Sequence, residues 1–288
     1  MTTAIAHLGP PGTYTEQATL AYVDLVQQKS GIEAILCPYP NIAQTLRAVA
    51  HGNADLAIVP AENSIEGGVT MTLDTLWQLD NLQIHLALVM PIAHSLMSYA
   101  QSLAGIETVY SHPQALAQCQ GWLEQFLPRV QLIPANSTTE TLQLLVNDPT
   151  IAAIASQRAA QIYHLPVLAS RINDQPENCT RFWVIGRGSS ATPTNGTHTS
   201  LAFSTRANIP GALVRPLQVF ADLGINLSRI ESRPTKRSLG DYLFFIDLEA
   251  SASFPLMRLA LEQLTAHTEI LKIFGNYNVV PISVPTKM

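Results

Sequence analysis

The sequence predicts an α/β domain followed by a smaller ferredoxin-like domain, and three features of the chain indicate this. Strand-like and helix-like segments alternate over residues 1–187, which is typical of α/β domains with mostly parallel sheets. Residues 188–198, GSSATPTNGTH, are small and polar, as expected of a linker. Residues 199–288 then follow the strand and helix order βαββαβ, which is the ferredoxin-like plan.

Each element of the first domain is predicted from a local pattern. Strands are assigned to short apolar runs bounded by turn residues, and helices to longer segments that follow a capping residue. Asn41, for instance, caps a helix that Gly52 stops. The strands are predicted at residues 4–8, 32–37, 55–60, 82–90, 108–110, 130–133 and 151–155. The helices are predicted at residues 15–27, 42–51, 69–79, 113–126 and 138–146.

The second domain is predicted from the same signals. Its strands are expected at residues 200–205, 225–233, 242–250 and 270–274, and its helices at residues 210–223 and 255–267. Pro216 lies inside the first of these helices. A proline inside a helix removes a backbone hydrogen bond, so we expect this helix to bend or break there.

The composition excludes several classes of protein. Of the 288 residues, 47% are hydrophobic and 13% are charged, which is typical of a folded chain with a sizeable core. The net charge is −5 and no basic stripe is present, so no nucleic-acid partner is expected. No apolar run reaches the ~18–20 residues of a membrane span, and the first residues lack a secretory pattern. We therefore expect a cytoplasmic protein with no membrane partner.

The chain lacks the motifs of common catalytic and metal centres. Cys37, Cys119 and Cys179 are far apart and form no CxxC pair, so neither a disulfide framework nor a metal site is expected. The motifs of zinc proteases, P-loops, serine hydrolases and dinucleotide-binding folds are also absent. Ser111 and His112 are adjacent, but neighbours in a chain rarely face each other, and no third residue marks a triad.

Neutral polar residues are instead concentrated in the turns that join strands to helices. Residues 9–18, GPPGTYTEQA, follow a predicted strand and open a helix, where backbone N–H groups can face an anion. The alternative is an ordinary tight turn in which Thr13 or Thr15 caps the helix. This segment alone does not decide between a binding site and a cap.

A second cluster, residues 60–74 (PAENSIEGGVTMTLD), is richer in polar groups. Glu62, Asn63 and Ser64 follow a predicted strand directly, at the edge where α/β sheets bind ligands. Capping of the next helix by Asn63 or Ser64 is the alternative. The number of polar groups directly after a buried strand favours a site.

Two further clusters complete the set. Residues 111–119, SHPQALAQC, open a helix that Ser111 can cap, and either Gln114 or Gln118, which share one face of that helix, can face a cleft with Ser111; an ordinary capped helix is the alternative. Residues 178–186, NCTRFWVIG, include Arg181. Its guanidinium group is suited to binding a carboxylate of a ligand, and the alternative interpretation is that it forms a surface salt bridge. Together the four clusters predict a pocket rich in hydroxyls and amides but poor in charge, which suits an anionic small molecule.

The four clusters in this order resemble the prephenate dehydratase family. The second domain is similar to the ACT regulatory domain of that family, through the segments IPGALVRPL (209–217) and ESRP (231–234). The resemblance extends over nearly the whole chain. It implies conversion of prephenate to phenylpyruvate in phenylalanine biosynthesis, with loss of carbon dioxide and water and with no metal or cofactor.

The resemblance also implies a fold for the first domain. The family's catalytic domain has two α/β lobes, as in periplasmic binding proteins, with the active site in the cleft. On that plan one lobe comprises about residues 1–78 plus 170–187, and the other residues 79–169. The chain would cross between lobes near residues 78–85 and return near residues 160–175, which puts Thr180 close to a crossing.

The resemblance assigns roles to single residues. Thr180 is most closely tied to proton donation to the leaving hydroxyl, Asn63, Ser111 and Gln118 orient the substrate, and Glu62 organises the loop or joins a proton relay. Arg181 is the expected carboxylate clamp. Further substrate-binding residues are expected to be Thr13, Ser64, Gly67, Thr72 and Phe182.

For the ACT domain, the resemblance implies an effector site for phenylalanine or another aromatic amino acid at an interface between two copies. A homodimer or homotetramer is therefore expected. The implied effector residues are Gly211, Ala212, Leu213, Glu231, Ser232 and Arg233. Two other functions stay open: an arogenate dehydratase, which performs the same elimination on the transaminated substrate, and a non-catalytic amino-acid sensor with this fold.

Overall fold

The computed structural model describes residues 2–31, 33–135, 140–188 and 196–282. The strands are β1 (Thr2–Leu8), β2 (Glu33–Tyr39), β3 (Leu56–Asn63), β4 (Gly67–Gly68), β5 (Leu82–Pro91), β6 (His94–Met97), β7 (Thr108–Ser111), β8 (Gln131–Pro134), β9 (Ile151–Ser156), β10 (Val167–Ser170), β11 (Cys179–Arg187), β12 (His198–Thr205), β13 (Leu227–Pro234), β14 (Tyr242–Leu248) and β15 (Thr268–Pro281). The α-helices are α1 (Tyr14–Ser30), α2 (Ile42–Ala50), α3 (Thr70–Gln78), α4 (Pro113–Ala117), α5 (Gln120–Phe126), α6 (Gln157–Tyr163), α7 (Val214–Asp222) and α8 (Pro255–His267).

The first 188 residues form two α/β lobes, each with its own sheet. The first lobe has the strand order β5-β11-β3-β1-β2, with β1 parallel to both β2 and β3 and with β11 antiparallel to β3 and β5. The second lobe has the order β10-β6-β9-β7-β8. The two-lobed α/β plan is therefore confirmed.

The chain crosses between the lobes later than predicted. The sequence places the first crossing near residues 78–85, but β5 pairs with β11 in the first lobe, so the chain leaves that sheet only after Pro91. It returns between Ser170, the end of β10, and Cys179, the start of β11. Residues 79–91 thus belong to the first lobe, because the apolar strand β5 completes its sheet.

The last domain has the predicted βαββαβ order, and its four strands align as β13-β14-β12-β15. The final strand is longer than expected. Residues 278–281 at the end of β15 pair in parallel with residues 86–89 of β5, and this joins the two sheets into one. Residues 189–195, which include most of the predicted linker, lie outside the described residues.

Some local predictions need correction. The helix predicted at residues 113–126 is divided into α4 and α5, and a 3₁₀ helix (Glu140–Asn147) replaces most of the helix predicted at residues 138–146. Helix α7 begins at Val214, so Pro216 lies in its first turn, where the backbone N–H has no helical partner to lose. Pro216 is therefore compatible with a regular helix, contrary to our expectation. Asn41 caps α2 as predicted.

Apolar side chains pack on both faces of the first lobe's sheet. One face packs against α1. On the other face, Trp183 and Ile84 pack with Phe245, Phe274 and Tyr277 of the last domain. The first lobe and the last domain therefore share a core. Among the described residues, no helix is long and apolar enough to cross a bilayer.

Candidate active site

The candidate site is built on the pairing of β3 with β11, which sets Asn63 directly opposite Thr180. The sequence suggests that β3 ends at Pro60 and that Asn63 lies in a turn. The strand instead continues through Asn63. Successive residues of a strand point to opposite faces of the sheet, so this extension decides which side chains share the site.

The side chain of Asn63 is held in one orientation. Its Oδ1 accepts hydrogen bonds from the backbone N–H groups of Ile65 at 3.0 Å and Glu66 at 3.1 Å. Only the Nδ2 amino group is then left to face Thr180, and it donates to Thr180 Oγ1 at 2.9 Å. The buried Thr180 hydroxyl accepts this bond and donates none within the described part of the chain. Its proton is available to a ligand.

A chain of amide side chains continues from this pair to the second lobe. Asn63 Nδ2 lies 2.8 Å from Asn178 Oδ1, and Asn178 Nδ2 donates to Gln118 Oε1 at 2.9 Å. Gln118 Nε2 in turn donates to the Glu66 carboxylate at 3.3 Å. Gln118 follows α4 of the second lobe, so these bonds link the two lobes where the chain crosses between them.

His94 and Tyr14 extend the same network. The Glu66 carboxylate can only accept, so Gln118 directs Oε1 toward His94, and His94 Nε2 donates to it at 3.0 Å. Burial lowers the pKa of His94, although the bond to Gln118 opposes the shift. The Tyr14 hydroxyl donates to the Ala93 carbonyl at 2.9 Å and lies 2.8 Å from Nδ1 of the His94 ring.

The sequence did not single out Asn178, His94 or Tyr14. Two features of the chain point to them. Tyr14 and Asn178 lie inside the segments GPPGTYT and NCTRFWVIG, which the resemblance uses. His94 follows the end of β5, where the chain crosses to the second lobe.

Glu62 and Arg181 do not face this site, contrary to expectation. They pair with each other across β3 and β11, one residue away from Asn63 and Thr180, so they lie on the opposite face of the sheet. Arg181 Nη1 lies 3.3 Å from Glu62 Oε2 and 3.1 Å from Oδ2 of Asp247 in β14. In this structure Arg181 and Glu62 therefore make no contact with Asn63 or Thr180, and the geometry does not support a substrate clamp or a proton relay through them.

Two other predicted site residues are buried elsewhere. Phe182 is 1% exposed and packs in the core beneath α1, so it has no surface to offer a substrate. Ser111 is fully buried at the end of β7, and its hydroxyl donates to the Ile154 carbonyl of β9 at 2.7 Å. His112 rather than Ser111 caps α4, through Nδ1. The role of Ser111 in substrate orientation stays a prediction.

The remaining predicted residues shape the loops around the site. Thr13 caps α1 by accepting from the Glu16 N–H, as the alternative in the sequence allows. Ser64 exchanges two hydrogen bonds with the backbone of Cys179, which fastens the loop after β3 to the start of β11. Gly67 has a φ of 80°. The buried Thr72 hydroxyl donates to the Pro60 carbonyl at 2.6 Å.

The predicted effector residues are divided between two surfaces of the last domain. Gly211, with a φ of 81°, opens an exposed turn that precedes α7. Ser232 is exposed on the edge strand β13. In contrast, Glu231 lies against Gly68, and Arg233 makes two hydrogen bonds to Asp74 of α3, at 3.0 and 3.1 Å. These last two side chains contact the catalytic domain in this structure.

The chemistry of the site is that of a neutral hydrogen-bonding network. Among the described residues, no group of three His, Cys, Asp or Glu side chains is arranged to hold a metal ion. The site offers one hydroxyl proton, three side-chain amides and a neutral imidazole at the junction of two lobes. This arrangement can orient a small polar molecule and donate a hydrogen bond to it.

Comparisons with known proteins agree with this arrangement. The family model described as prephenate dehydratase matches residues 5–190, and the ACT domain model matches residues 199–266. The chain is 41% identical over 273 residues to a bifunctional chorismate mutase/prephenate dehydratase of Aquifex aeolicus, covering 95% of this chain and 73% of that one. It is 36% identical over 280 residues to a prephenate dehydratase of Lactococcus lactis subsp. cremoris, covering 96% and 97% of the two chains.

A solved structure is also similar over the full fold. The crystal structure of prephenate dehydratase from Arthrobacter aurescens in complex with L-Phe superposes with a TM-score of 0.84 at 35% identity, covering 96% of this chain and 90% of that chain. The family models and the curated relatives together cover both domains. The chain therefore belongs to the prephenate dehydratase family of hydro-lyases and carries an ACT domain after its catalytic domain.

Proposed function

We propose that the junction between the two lobes binds prephenate and that Thr180 donates a hydrogen bond to its leaving hydroxyl. The direction of the bond between Asn63 and Thr180 is the observation that supports this role. Because Asn63 must donate to Oγ1, the Thr180 proton points away from the protein partner and toward a ligand. Asn63, Gln118 and Asn178 hold this geometry through hydrogen bonds.

The reaction needs little more than this from the protein. Prephenate is a dianion with a non-aromatic ring. As the ring carboxylate leaves as carbon dioxide, its electron pair enters the ring and the hydroxyl departs with one added proton as water. The product, phenylpyruvate, keeps one carboxylate and gains an aromatic ring. A hydrogen bond to the departing hydroxyl stabilises the charge that develops on it in the transition state.

The neutral network suits the ring carboxylate. This group loses its charge in the transition state, so a strong cationic partner would favour the ground state. Arg181 lies on the opposite face of β11 and is paired with Glu62 and Asp247. The amides and the neutral His94 provide polarity without a formal positive charge. Ser64 and Gly67 border the same segments and complete the proposed binding surface, while the buried Ser111 and Thr72 hydroxyls fix the backbone behind it.

We further propose that the ACT domain binds phenylalanine between two copies of the chain. The relative from Arthrobacter aurescens holds L-Phe, which supports an aromatic amino acid as effector. Gly211, Ala212 and Leu213 form a turn next to α7, and Ser232 lies on β13, an edge strand with an unpaired side. Pairing of two β13 edges would cover that side and place both segments near an interface. Such pairing would give a homodimer, or a homotetramer built from two such dimers, and we propose that the protein acts in the cytoplasm.

The test of the proposed activity compares the two substrates that this elimination can use. Initial rates are measured on prephenate, by the ultraviolet absorbance of phenylpyruvate, and on arogenate, by the phenylalanine formed. We expect kcat/KM for prephenate to exceed that for arogenate by at least about tenfold. A reversed ratio would identify an arogenate dehydratase, and turnover of neither substrate would identify an amino-acid sensor.

A further inference from the structure

A cluster of charged side chains lies directly behind the candidate active site. Glu62 and Arg181 on the catalytic sheet meet Asp247, Arg229 and Glu231 of the ACT domain, and we call these five residues the interdomain charge cluster. Arg181 Nη1 is 3.1 Å from Asp247 Oδ2, and Arg229 Nε is 2.8 Å from the same oxygen. Arg229 Nη1 is 3.4 Å from Glu231 Oε2.

Asp247 is the fixed centre of this cluster. Its side chain is 1% exposed, and its second oxygen, Oδ1, accepts from Ser200 Oγ at 2.5 Å. Ser200 is in turn 2.6 Å from the Tyr277 hydroxyl. Burial alone would lower the pKa of Arg229, but the Asp247 carboxylate outweighs this and the pKa is raised. A buried carboxylate with this many partners cannot move without leaving a charge unpaired.

The position of the cluster gives it a direct connection to catalysis. Arg181 follows Thr180 in β11, and Glu62 precedes Asn63 in β3. Because successive residues of a strand point to opposite faces, Asn63 and Thr180 face the site, whereas Glu62 and Arg181 face the ACT domain. Asp247 therefore contacts the strand ends that carry Asn63 and Thr180 from the opposite face of the sheet, through Arg181 and its partner Glu62.

The pairing of β3 with β11 is irregular next to Arg181, which is where the ion pair with Asp247 holds the strand. The register of β11 against β3 shifts between Arg181 and Phe182, because Arg181 pairs with Glu62 and Phe182 pairs with Pro60. A bulge of this kind interrupts the ladder and bends the strand locally. The ladder between β3 and β11 is therefore interrupted directly beside Glu62 and Arg181, although β4 pairs with Glu62 and Asn63 on the other side of β3.

We propose that the Arg181–Asp247 ion pair is a positioning device through which the ACT domain holds Asn63 and Thr180 in their reactive geometry. This rests on the proposed role of Thr180. Arg181 and Asp247 touch no substrate and act only by fixing the strand ends at the bulge. If the ACT domain changes position and displaces Asp247, Arg181 then shifts, and the neighbouring Thr180 shifts with it.

The test replaces Asp247 with Asn in the full chain, which keeps the shape and removes the charge. Misplacement of a reacting group lowers turnover more than binding, so we expect kcat to fall about tenfold with KM within about twofold. The same substitution is made in the Thr180→Ala background. There we expect no further loss of kcat, because the group that Asp247 positions is already gone.

A purely structural role gives a different result. Asp247→Asn would then lower kcat by the same factor in both backgrounds, or leave it unchanged in both, and either outcome overturns the proposal. Arg181→Lys is the second variant, in case Asp247→Asn does not fold. It keeps the charge but shortens and reshapes the donor, so the same dependence on Thr180 is expected.

The matched control is Lys272→Met. Lys272 Nζ also joins the two domains, through hydrogen bonds to the Trp77 and Leu79 carbonyls at 2.9 and 2.8 Å, but it lies at the far end of α3. This variant should melt earlier and keep kcat. If Thr180→Ala alone keeps wild-type turnover, the role of Thr180 is wrong, and that single variant distinguishes this failure from a failure of the Asp247 coupling.

Discussion

Asn63 donates its side-chain amide to the Thr180 hydroxyl at 2.9 Å, from two strands in which these residues are direct partners. The turn after β3 fixes the direction of this bond, since the N–H groups of Ile65 and Glu66 occupy the Asn63 oxygen. Thr180 is thereby obliged to accept from Asn63 and to donate elsewhere. A hydroxyl used in this way is a hydrogen-bond donor of fixed direction, which is what a departing hydroxyl group requires.

The first prediction concerns the direction of that bond. Asn63→Asp keeps the shape and the two backbone bonds but replaces the amino group by an acceptor. Thr180 then donates its hydroxyl proton to the carboxylate and can no longer donate it to the substrate. We expect kcat to fall about 10²-fold in steady-state assays. KM should also rise, because the new carboxylate repels a dianionic substrate.

The control for this substitution is Asn41→Asp, since Asn41 caps α2 through its Oδ1 and an aspartate caps equally well. Turnover of that variant should match the wild type. Wild-type turnover of Asn63→Asp itself would contradict the assigned direction of the bond.

A second prediction concerns the close approach of the two domains at Gly68. A Cβ at this position would overlap the Glu231 carboxylate, with Cδ only 2.6 Å away. Gly68→Ala therefore forces the end of the Glu231 side chain away from Arg229 and should cost up to about 1 kcal/mol in the free energy of unfolding, the usual range for a partly exposed ion pair. Urea denaturation measures this cost.

The same substitution in a Glu231→Ala background should cost much less, because nothing then obstructs the methyl group. Gly105→Ala is the control, since its Cβ would meet only Ala100 at an ordinary 3.9 Å. Equal costs with and without the Glu231 side chain would show that the contact does not exist in solution.

The third prediction is a dependence of stability on pH. Burial lowers the pKa of five histidines, namely His7, His85, His94, His112 and His198. Below about pH 6.5 the unfolded chain therefore binds more protons than the native one, and stability falls as the pH falls. Burial raises the pKa of Glu231, which acts in the opposite sense but is a single group.

We expect urea midpoints to be lower at about pH 5.5 than at about pH 7.5. His94→Gln should weaken this dependence, because one of the five groups is removed. A midpoint that is constant or higher at the lower pH would contradict the direction of these shifts.

The sequence predicts the architecture well because its signals are local. Alternating apolar segments and capping residues such as Asn41 define the elements, and the four motif segments identify the family. The sequence does not locate the crossing between the lobes, because the apolar pattern of β5 suits a strand in either lobe. It also gives no sign that the end of β15 pairs with β5, because contact between distant strands leaves no local pattern.

The errors in the site have one physical origin. The sequence predicts a polar turn after a strand that ends at Pro60, and in such a turn Glu62 and Asn63 can share one site. Because β3 continues to Asn63, neighbouring residues point to opposite faces, and the same holds for Thr180 and Arg181. The longer β3 thus places the Glu62 side chain with Arg181 at the interface between the catalytic and ACT domains.

The account depends most on the hydroxyl of Thr180, and its removal is the most direct test. Thr180→Ala should lower kcat on prephenate by at least about 10²-fold while KM changes little, since the group acts on the leaving hydroxyl in the transition state. Thr180→Ser, which keeps a hydroxyl, should recover most of the loss. Near-wild-type turnover of Thr180→Ala in a folded protein would contradict the proposed role.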